Sequence, residues 1–320
     1  MGSLAKPVVC IVTPGTRTAN NGNWRTAARW AGFLRGRCKV IVQTQWDGAR
    51  ADILIALHAR HSAESVAAFR ATGPHPIVVM LTGTDLYRDL PASIAAARSL
   101  DLANRIVVLQ DDAPRLLEPR WREKAEVIFQ SARPLAARRR ANARLECIAV
   151  GHLRAEKDPV TLFRAIQGLP SSLALRVTHI GAPLDAAIAA QARRLHSREP
   201  RYRYLGALPH GLTRCAIKAA DLLIHPSAME GGANVIVEAV TCGTPVMASR
   251  VSGNVGMLGA SYSGYFETGD ASALARRLEQ AVEEHGFVAG LERECRARAR
   301  LFRPAVEAAA VRRLVARLVA

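Results

Sequence analysis

The sequence has 320 residues, 49% of them apolar, which is enough for two domains with buried cores. Its longest apolar runs fall well short of the roughly 20 residues that a membrane-spanning helix needs. We expect no signal peptide, because the first strand pattern begins without a charged start and a small-residue cleavage site. The six cysteines are scattered without a C-x-x-C pair, which favours reduced thiols in the cytoplasm over a disulfide framework or a zinc site.

The formal net charge is +17, from 44 Lys and Arg against 27 Asp and Glu. The basic residues are dispersed through alanine-rich stretches and aromatic residues make up 5% of the chain, whereas a nucleic-acid binder concentrates its charge on one face. We therefore expect no nucleic-acid partner. Two explanations stay open: an arginine-rich composition without function, or a positive field that attracts anionic substrates.

Short β-branched runs alternate with helical patterns from the start of the chain. The first half predicts strands at 7–13, 39–43, 52–57, 76–81, 105–109 and 126–130, with helical patterns between them such as 24–36 and 91–99. Uninterrupted apolar strands separated by helices are typical of a parallel sheet that is covered on both faces. The N-terminal part therefore predicts a doubly wound α/β domain.

The segment SARPLAARRRANAR interrupts this alternation with a proline and a charge run, and we interpret 135–145 as a linker. A second alternation follows, with predicted strands at 146–150, 174–180, 221–225 and 245–248. The predicted organisation is a Rossmann-like domain over 1–134, a second Rossmann-like domain over 146–300, and an amphipathic helix over 301–320 that packs back on the first domain. The fold class is α/β, with two doubly wound domains facing each other across a cleft.

Residues 225–249 read HPSAMEGGANVIVEAVTCGTPVMAS and hold two glutamates, Glu230 and Glu238, eight positions apart. The preceding strand ends at Pro226, and a helix is predicted from about 233 to 241. Gly231 and Gly232 therefore form the turn between them, where the backbone can approach a ligand closely. Free N–H groups in the helix's first turn suit a diphosphate. The spacing predicts a nucleotide-sugar site; the structural alternative is one loop glutamate and one exposed helix glutamate.

This segment resembles the nucleotide-sugar motif of retaining GT-B glycosyltransferases of family 4. CIAVGHLRAEKDPVTLFRAI and YRYLGALPHGLTRCAIKAADLLIHPS are similar to the family's stretches that lead up to it. The resemblance implies that Glu238 binds the ribose, that Glu230 binds the donor sugar, and that Lys157 neutralises the departing diphosphate. It also implies phosphate contacts from the backbone of Gly231, Gly232, Ala233 and Asn234, and a base-binding turn that includes Gly206 and Leu208.

One position departs from the family's pattern. The family usually carries arginine directly after the glycine of the VG pair, where this chain has His152, and an arginine follows two places later at Arg154. We expect Arg154 to act with Lys157 at the phosphates. The alternatives are that His152 makes the contact, or that the two basic residues are a surface pair.

Three strand-end loops of the N-terminal half supply candidate acceptor contacts. The first loop holds Asn20, Asn21, Asn23 and Arg25, the second holds His58 and Arg60, and the third holds Thr82 and Thr84. Asn23 is a candidate helix N-cap, and the neighbouring asparagines also suit a simple turn. His58 matches a family histidine near the acceptor, and it is a candidate catalytic residue, although a lone histidine after a strand is more often structural.

The N-terminal loops and the glutamate segment together resemble selenosugar synthases, the glycosyltransferases of selenoneine biosynthesis. That resemblance implies a UDP-sugar donor, such as UDP-glucose or UDP-N-acetylglucosamine, and selenophosphate as the acceptor. We expect no metal requirement, because the sequence has no D-x-D pair of the metal-dependent kind. Two other functions remain open: a glycosyltransferase for a hydroxyl acceptor such as a lipid or polysaccharide, and a non-catalytic nucleotide or RNA binder.

Overall fold

The computed structural model describes residues 6–16, 22–135 and 143–319. The chain divides into two compact units, Met1–Gln130 with Pro304–Ala320, and Ser131–Arg303. In the part that is described, each unit is built on one six-stranded parallel sheet. The predicted fold class of two Rossmann-like α/β domains is confirmed.

Unit 1 is the N-terminal unit. Its strands are β1 (Val8–Val12), β2 (Lys39–Gln43), β3 (Ile53–Leu57), β4 (Ile77–Met80), β5 (Arg105–Val108) and β6 (Ala125–Val127). The helices between them are α1 (Gly22–Leu34), α2 (Ala63–Ala71), α3 (Ile94–Leu102) and the short α4 (Pro119–Arg122). The sheet order is β2-β1-β3-β4-β5-β6. Strand order therefore reverses between β1 and β3, where open α/β sheets bind ligands beyond the strand carboxyl ends.

Unit 2 repeats this plan. Its strands are β7 (Leu145–Val150), β8 (Leu175–Ile180), β9 (Tyr202–Tyr204), β10 (Leu222–His225), β11 (Val246–Ser249) and β12 (Tyr265–Phe266). Its helices are α5 (Pro159–Gly168), α6 (Ala186–Arg198), α7 (His210–Ala219), α8 (Asn234–Cys242), α9 (Ser252–Leu258), α10 (Ala271–Glu283) and α11 (Phe287–Arg298). The order β12-β11-β10-β7-β8-β9 puts the reversal between β7 and β10. The loops that follow these two strands carry His152, Arg154, Lys157, Glu230 and the glycine turn.

The last helix, α12 (Pro304–Val319), belongs to unit 1 and packs against α1. Its Glu307 is 1% exposed and accepts hydrogen bonds from Trp30 Nε1 at 2.9 Å and Arg29 Nε at 2.8 Å. A buried carboxylate needs such partners because burial removes its hydration. The chain therefore returns from unit 2 to complete the core of unit 1.

Within the described residues, no helix combines the length and apolar character that crossing a bilayer requires.

All six cysteines are free thiols. Four of them, Cys10, Cys147, Cys242 and Cys295, are buried, while Cys38 is half-buried and Cys215 is exposed. Burial raises the pKa of the Cys10 thiol to about 12, with the nearby Asp47 carboxylate adding to the effect. Such a thiol stays protonated and unreactive at neutral pH.

Candidate active site

The loop after β7 presents Lys157 at the switch point of unit 2. A 3₁₀ turn, Ala155–Lys157, leads directly into Asp158, which has a left-handed backbone with φ 41°. The Asp158 side chain caps α5, since Oδ1 accepts from the Thr161 amide at 3.2 Å and Oδ2 from its hydroxyl at 2.6 Å. This cap ties the loop to the helix. The ammonium of Lys157 is therefore held at the strand end.

The base of this loop is fixed from β8. His179 Nε2 lies 3.2 Å from the carbonyl oxygen of Gly151, and His179 Nδ1 lies 2.8 Å from the Tyr202 hydroxyl. Burial lowers the pKa of His179 to about 4, so the ring is neutral at pH 7. Gly181 also packs on this carbonyl, and a Cβ there would overlap it. The loop thus rests on a buried imidazole and a close backbone contact.

The buried state of His179 predicts an acid-dependent loss of stability. Its pKa in the fold lies below the ordinary value of 6.5, so the stabilising effect is complete above pH 6.5 and is lost as pH falls toward 4. Between pH 8 and pH 5 we expect the free energy of unfolding to fall by about 2 kcal/mol in wild type because of this group. His179→Gln should not show this fall. Amide-exchange protection of β8 measures this for unit 2 alone. Equal losses in both proteins would contradict the assignment.

Glu230, in the loop after β10, meets Lys157. Lys157 Nζ lies 2.5 Å from Glu230 Oε1, although the two residues are 73 positions apart. His225 Nε2 lies 3.0 Å from the same oxygen but forms no hydrogen bond with it. Burial by itself would raise the pKa of Glu230, but the Lys157 ammonium, and then His225, hold it well below its usual range. The carboxylate is therefore ionised at every physiological pH.

The turn between β10 and α8 brings backbone amides to the same place. Gly231 is buried and Gly232 half-buried, and α8 begins at Asn234 after Ala233, which provides no side-chain cap. The first-turn N–H groups of such a helix suit an anion. Gly253 supports this turn, because a Cβ at that position would overlap the Glu230 carbonyl. The structure therefore places all four predicted phosphate-contacting residues beside Glu230 in sequence and at the helix start.

Glu238 lies in the second turn of α8 and is 8% exposed. His210, the first residue of α7, places Nε2 at 2.6 Å from Glu238 Oε1. The sequence patterns did not mark His210, His225 or His179 as site residues. The only available signal was their position at or next to strand ends and helix starts.

The two alternatives for the phosphate contact differ in their surroundings. His152 is exposed, and its Nδ1 accepts the amide of Ala182 at 3.0 Å. Arg154 has its Nε buried without a hydrogen-bond partner and lies 3.9 Å from Glu156 Oε2. A buried donor without a partner is costly, so Arg154 is the better placed of the two to meet a ligand oxygen.

The predicted base-binding turn has the backbone that such a turn requires. Gly206 has φ 70°, a left-handed value that favours glycine, and its carbonyl accepts the Gly181 amide at 2.9 Å. Leu208 is half-buried, and its carbonyl accepts the Thr213 hydroxyl at 3.4 Å. This turn leads directly to His210, so it links the predicted base contact to Glu238.

In unit 1, His58 follows β3 with a left-handed backbone of φ 75°. Its Nδ1 accepts the His61 amide at 3.3 Å, and its Nε2 lies 3.2 Å from the Thr84 hydroxyl. Burial lowers the pKa of His58, against the opposing effect of the Asp85 carboxylate. The neutral ring accordingly carries its proton on Nε2. His58 is a hydrogen-bond donor in this arrangement, and the lone pair that a base would need is already occupied.

Asp85, which follows β4, uses its carboxylate to bind backbone amides of two loops. Its fully buried carboxylate accepts the amides of Thr82 at 2.8 Å, Gly83 at 2.7 Å and Ala59 at 3.1 Å. These bonds join the loops after β3 and β4. The carboxylate therefore shapes the loops, and Thr82 contributes its amide to that bond network.

Ligand atoms of His58, His61 and Asp89 lie within 4.8 Å of one another, yet the group suits a cation poorly. Arg60 Nε lies 3.0 Å from Asp89 Oδ2, and the Arg60 side chain is 43% exposed. A metal on His58 Nε2 would require a proton on Nδ1, where the His61 amide donates. The Arg60 guanidinium already pairs with the Asp89 carboxylate that a cation would need.

The remaining acceptor candidates lie at the start of α1. Asn23 is inside the first turn, because α1 begins at Gly22, so the N-cap prediction for Asn23 is wrong. Arg25 is half-buried in the same turn. Asn20 and Asn21 lie outside the described residues.

Comparison with known proteins gives a family for unit 2 and similar folds for nearly the whole chain. The family model for glycosyl transferases group 1 matches residues 137–302. The crystal structure of HepE from Anabaena with UDP and glucose is similar, with a TM-score of 0.75 and 17% identity over 97% of this chain and 99% of that one. Sucrose-phosphate synthase from Thermosynechococcus elongatus has a TM-score of 0.77 and 17% identity over 98% and 99%.

One curated enzyme is similar over a short segment. The 2-deoxystreptamine N-acetyl-D-glucosaminyltransferase of Streptomyces fradiae is 35% identical over 85 residues, which are 26% of this chain and 20% of that enzyme. The match thus spans about a fifth of the relative's length. The family model, by contrast, covers just over half of the chain, and the two parallel-sheet units have the matching fold. The chain belongs to the group 1 glycosyltransferases.

Proposed function

We propose that this glycosyltransferase takes its sugar from a UDP-sugar bound in unit 2. The observation that carries the proposal is the contact between Lys157 and Glu230 at the switch point, with Glu238 in the helix that follows. HepE, which shares the fold, has been crystallised with UDP and with UDP-glucose. The ribose would be bound by Glu238, the sugar hydroxyls by Glu230, and the diphosphate by the turn before α8.

The proposed chemistry is the stabilisation of a departing diphosphate. As the bond between sugar C1 and the diphosphate oxygen breaks, its electron pair stays on UDP, and negative charge builds there. Lys157, Arg154 and the amides at the start of α8 would meet this charge, which is the kind of preorganised stabilisation that contributes most to many enzymes. Glu230 keeps Lys157 in place until the diphosphate arrives. We expect this reaction to run without an added metal.

For the acceptor we propose selenophosphate. The selenium would attack C1 and displace UDP, and water would then cleave the selenium–phosphorus bond to give a 1-seleno-sugar and phosphate. This choice is supported by the loop stretches that resemble selenosugar synthases. It is also supported by the contacts of His58 and Asp85, the two side chains in these loops that could act as a base, since His58 donates from Nε2 and Asp85 is engaged by backbone amides. An anionic nucleophile needs no base.

A second candidate is transfer to a hydroxyl acceptor. The Streptomyces fradiae enzyme is named for the transfer of N-acetylglucosamine to 2-deoxystreptamine, a cyclitol that carries hydroxyl groups. Its short matching segment favours this candidate.

The free thiols are consistent with a reducing compartment, and we propose the cytoplasm for either reaction.

Mass spectrometry of the reaction mixture separates the two candidates. Purified protein is incubated with UDP-glucose or UDP-N-acetylglucosamine, with selenophosphate or 2-deoxystreptamine, in the presence of EDTA. We expect a selenium–sugar adduct together with equimolar UDP, and roughly 10²–10³-fold less adduct in the same time from Lys157→Ala. Glycosylation of 2-deoxystreptamine without any selenium adduct would overturn the selenophosphate assignment while leaving the UDP-sugar donor intact.

A further inference from the structure

We propose that His210 is a positioning residue that orients Glu238 toward the ribose of the nucleotide. The inference rests on the proposed UDP site, because it assigns a role to a neighbour of the proposed ribose contact. It concerns a residue on a different helix from the glutamate motif. His210 begins α7, whereas Glu238 lies in α8, and the two are 28 positions apart.

The contact between them is short and directional. His210 Nε2 lies 2.6 Å from Glu238 Oε1, a short hydrogen bond of the kind that a charged partner favours. The carboxylate belongs to a residue that is 8% exposed, while the His210 side chain is 40% exposed. The imidazole therefore reaches inward from the surface to a carboxylate that is largely removed from water.

A glutamate on a helix has three side-chain torsions, and binding a vicinal diol requires one orientation of its carboxylate. A hydrogen bond to Oε1 selects that orientation before the ligand binds, which lowers the entropy lost on binding. It does not block the ligand, since each carboxylate oxygen has two lone pairs. Oε1 can accept from His210 and from one hydroxyl, and Oε2 can accept from the other.

The loop before α7 fixes the histidine itself. Pro209 precedes the helix with φ −52° and ψ 142°, and Gly206 makes the left-handed turn three residues earlier. The same loop holds the predicted contact with the base. One rigid segment would therefore set both the base contact and, through His210, the ribose contact. This arrangement makes nucleoside recognition a joint property of two separate loops.

Calorimetry with two ligands tests the role of His210. The ligands are UDP and its 2′,3′-dideoxy analogue, which lacks both ribose hydroxyls. We expect His210→Ala to weaken UDP binding roughly tenfold, whereas His210→Gln, whose amide nitrogen can replace Nε2 as the donor, stays within about threefold of wild type. Neither variant should change the affinity for the dideoxy analogue. His285→Ala, which removes an exposed histidine of the same unit, is the control and should bind like wild type.

The double variant separates this inference from the proposed function. If His210 acts through Glu238, His210→Ala adds little to Glu238→Ala, because the two effects are coupled. Weaker UDP binding in Glu238→Ala, together with normal UDP binding in His210→Ala, would overturn the positioning role alone. Unchanged UDP binding in Glu238→Ala would overturn both the ribose contact and the inference. Equal losses for UDP and the dideoxy analogue in His210→Ala would indicate a merely structural role and would overturn it as well.

Discussion

Replacing Lys157 by alanine is expected to lower turnover by roughly 10²–10³-fold, the range found when one preorganised group facing a developing negative charge is removed. The charge on UDP grows as the sugar leaves, so the loss should fall mainly on kcat and less on the binding of the intact donor. Steady-state kinetics with a saturating acceptor measure both quantities. Lys218→Ala, in another helix of the same unit, is the matched control.

Stability has to be separated from catalysis in this variant. Lys157 is the main positive partner of the buried Glu230 carboxylate, and breaking a buried pair costs about 3–5 kcal/mol. The double variant Lys157→Ala/Glu230→Gln removes the unpaired charge and should regain stability without regaining activity. A double variant that recovers both would show that the single substitution acts through unfolding, and Lys157 would lose its proposed catalytic role.

Replacing Glu238 by alanine is expected to weaken UDP binding by roughly 10–100-fold, because two ribose hydroxyls lose a charged acceptor and such hydrogen bonds contribute about 1.5–3 kcal/mol. The ribose contact is the same before and after the sugar leaves. KM for the donor should therefore rise while kcat at saturation changes little. Isothermal calorimetry with UDP gives the affinity directly.

Two comparisons make the Glu238 result interpretable. Glu283→Ala removes an exposed glutamate from α10 in the same unit and should leave UDP affinity unchanged. The dideoxy analogue should bind wild type and Glu238→Ala with similar affinity. A folded Glu238→Ala protein that binds UDP like wild type would remove this glutamate from the site.

The sequence predicted the central strands well and the marginal ones poorly. The run 52–57 became β3, all five residues of which are buried, since a continuous apolar run fits a strand covered on both faces. By contrast, β9 has three residues, including the exposed Arg203, and β12 has two. Such short edge strands carry no periodic pattern of their own. Their pairing with β8 and β11 defines them.

The candidate site likewise has one part that the sequence predicts and another part that it does not. Glu230, the glycine turn and Glu238 could be predicted because they lie within nine residues, and their placement follows from one strand end and one helix start. The partners of the two glutamates could not be predicted. Lys157 ends a 3₁₀ turn and His210 begins another helix, 73 and 28 positions away, and no local pattern tells which segments meet at a switch point.

By itself, the sequence determined the alternation of strands and helices, the two-unit organisation and the family motif, because hydrophobic periodicity and turn chemistry act between near neighbours. Only the tertiary structure decided what the charged groups do. It paired Lys157 with Glu230, placed His210 on Glu238, and engaged Asp85 with backbone amides. The physical reason is that burial makes an unpaired charge costly, so each ionised side chain takes its role from the partners that folding brings to it.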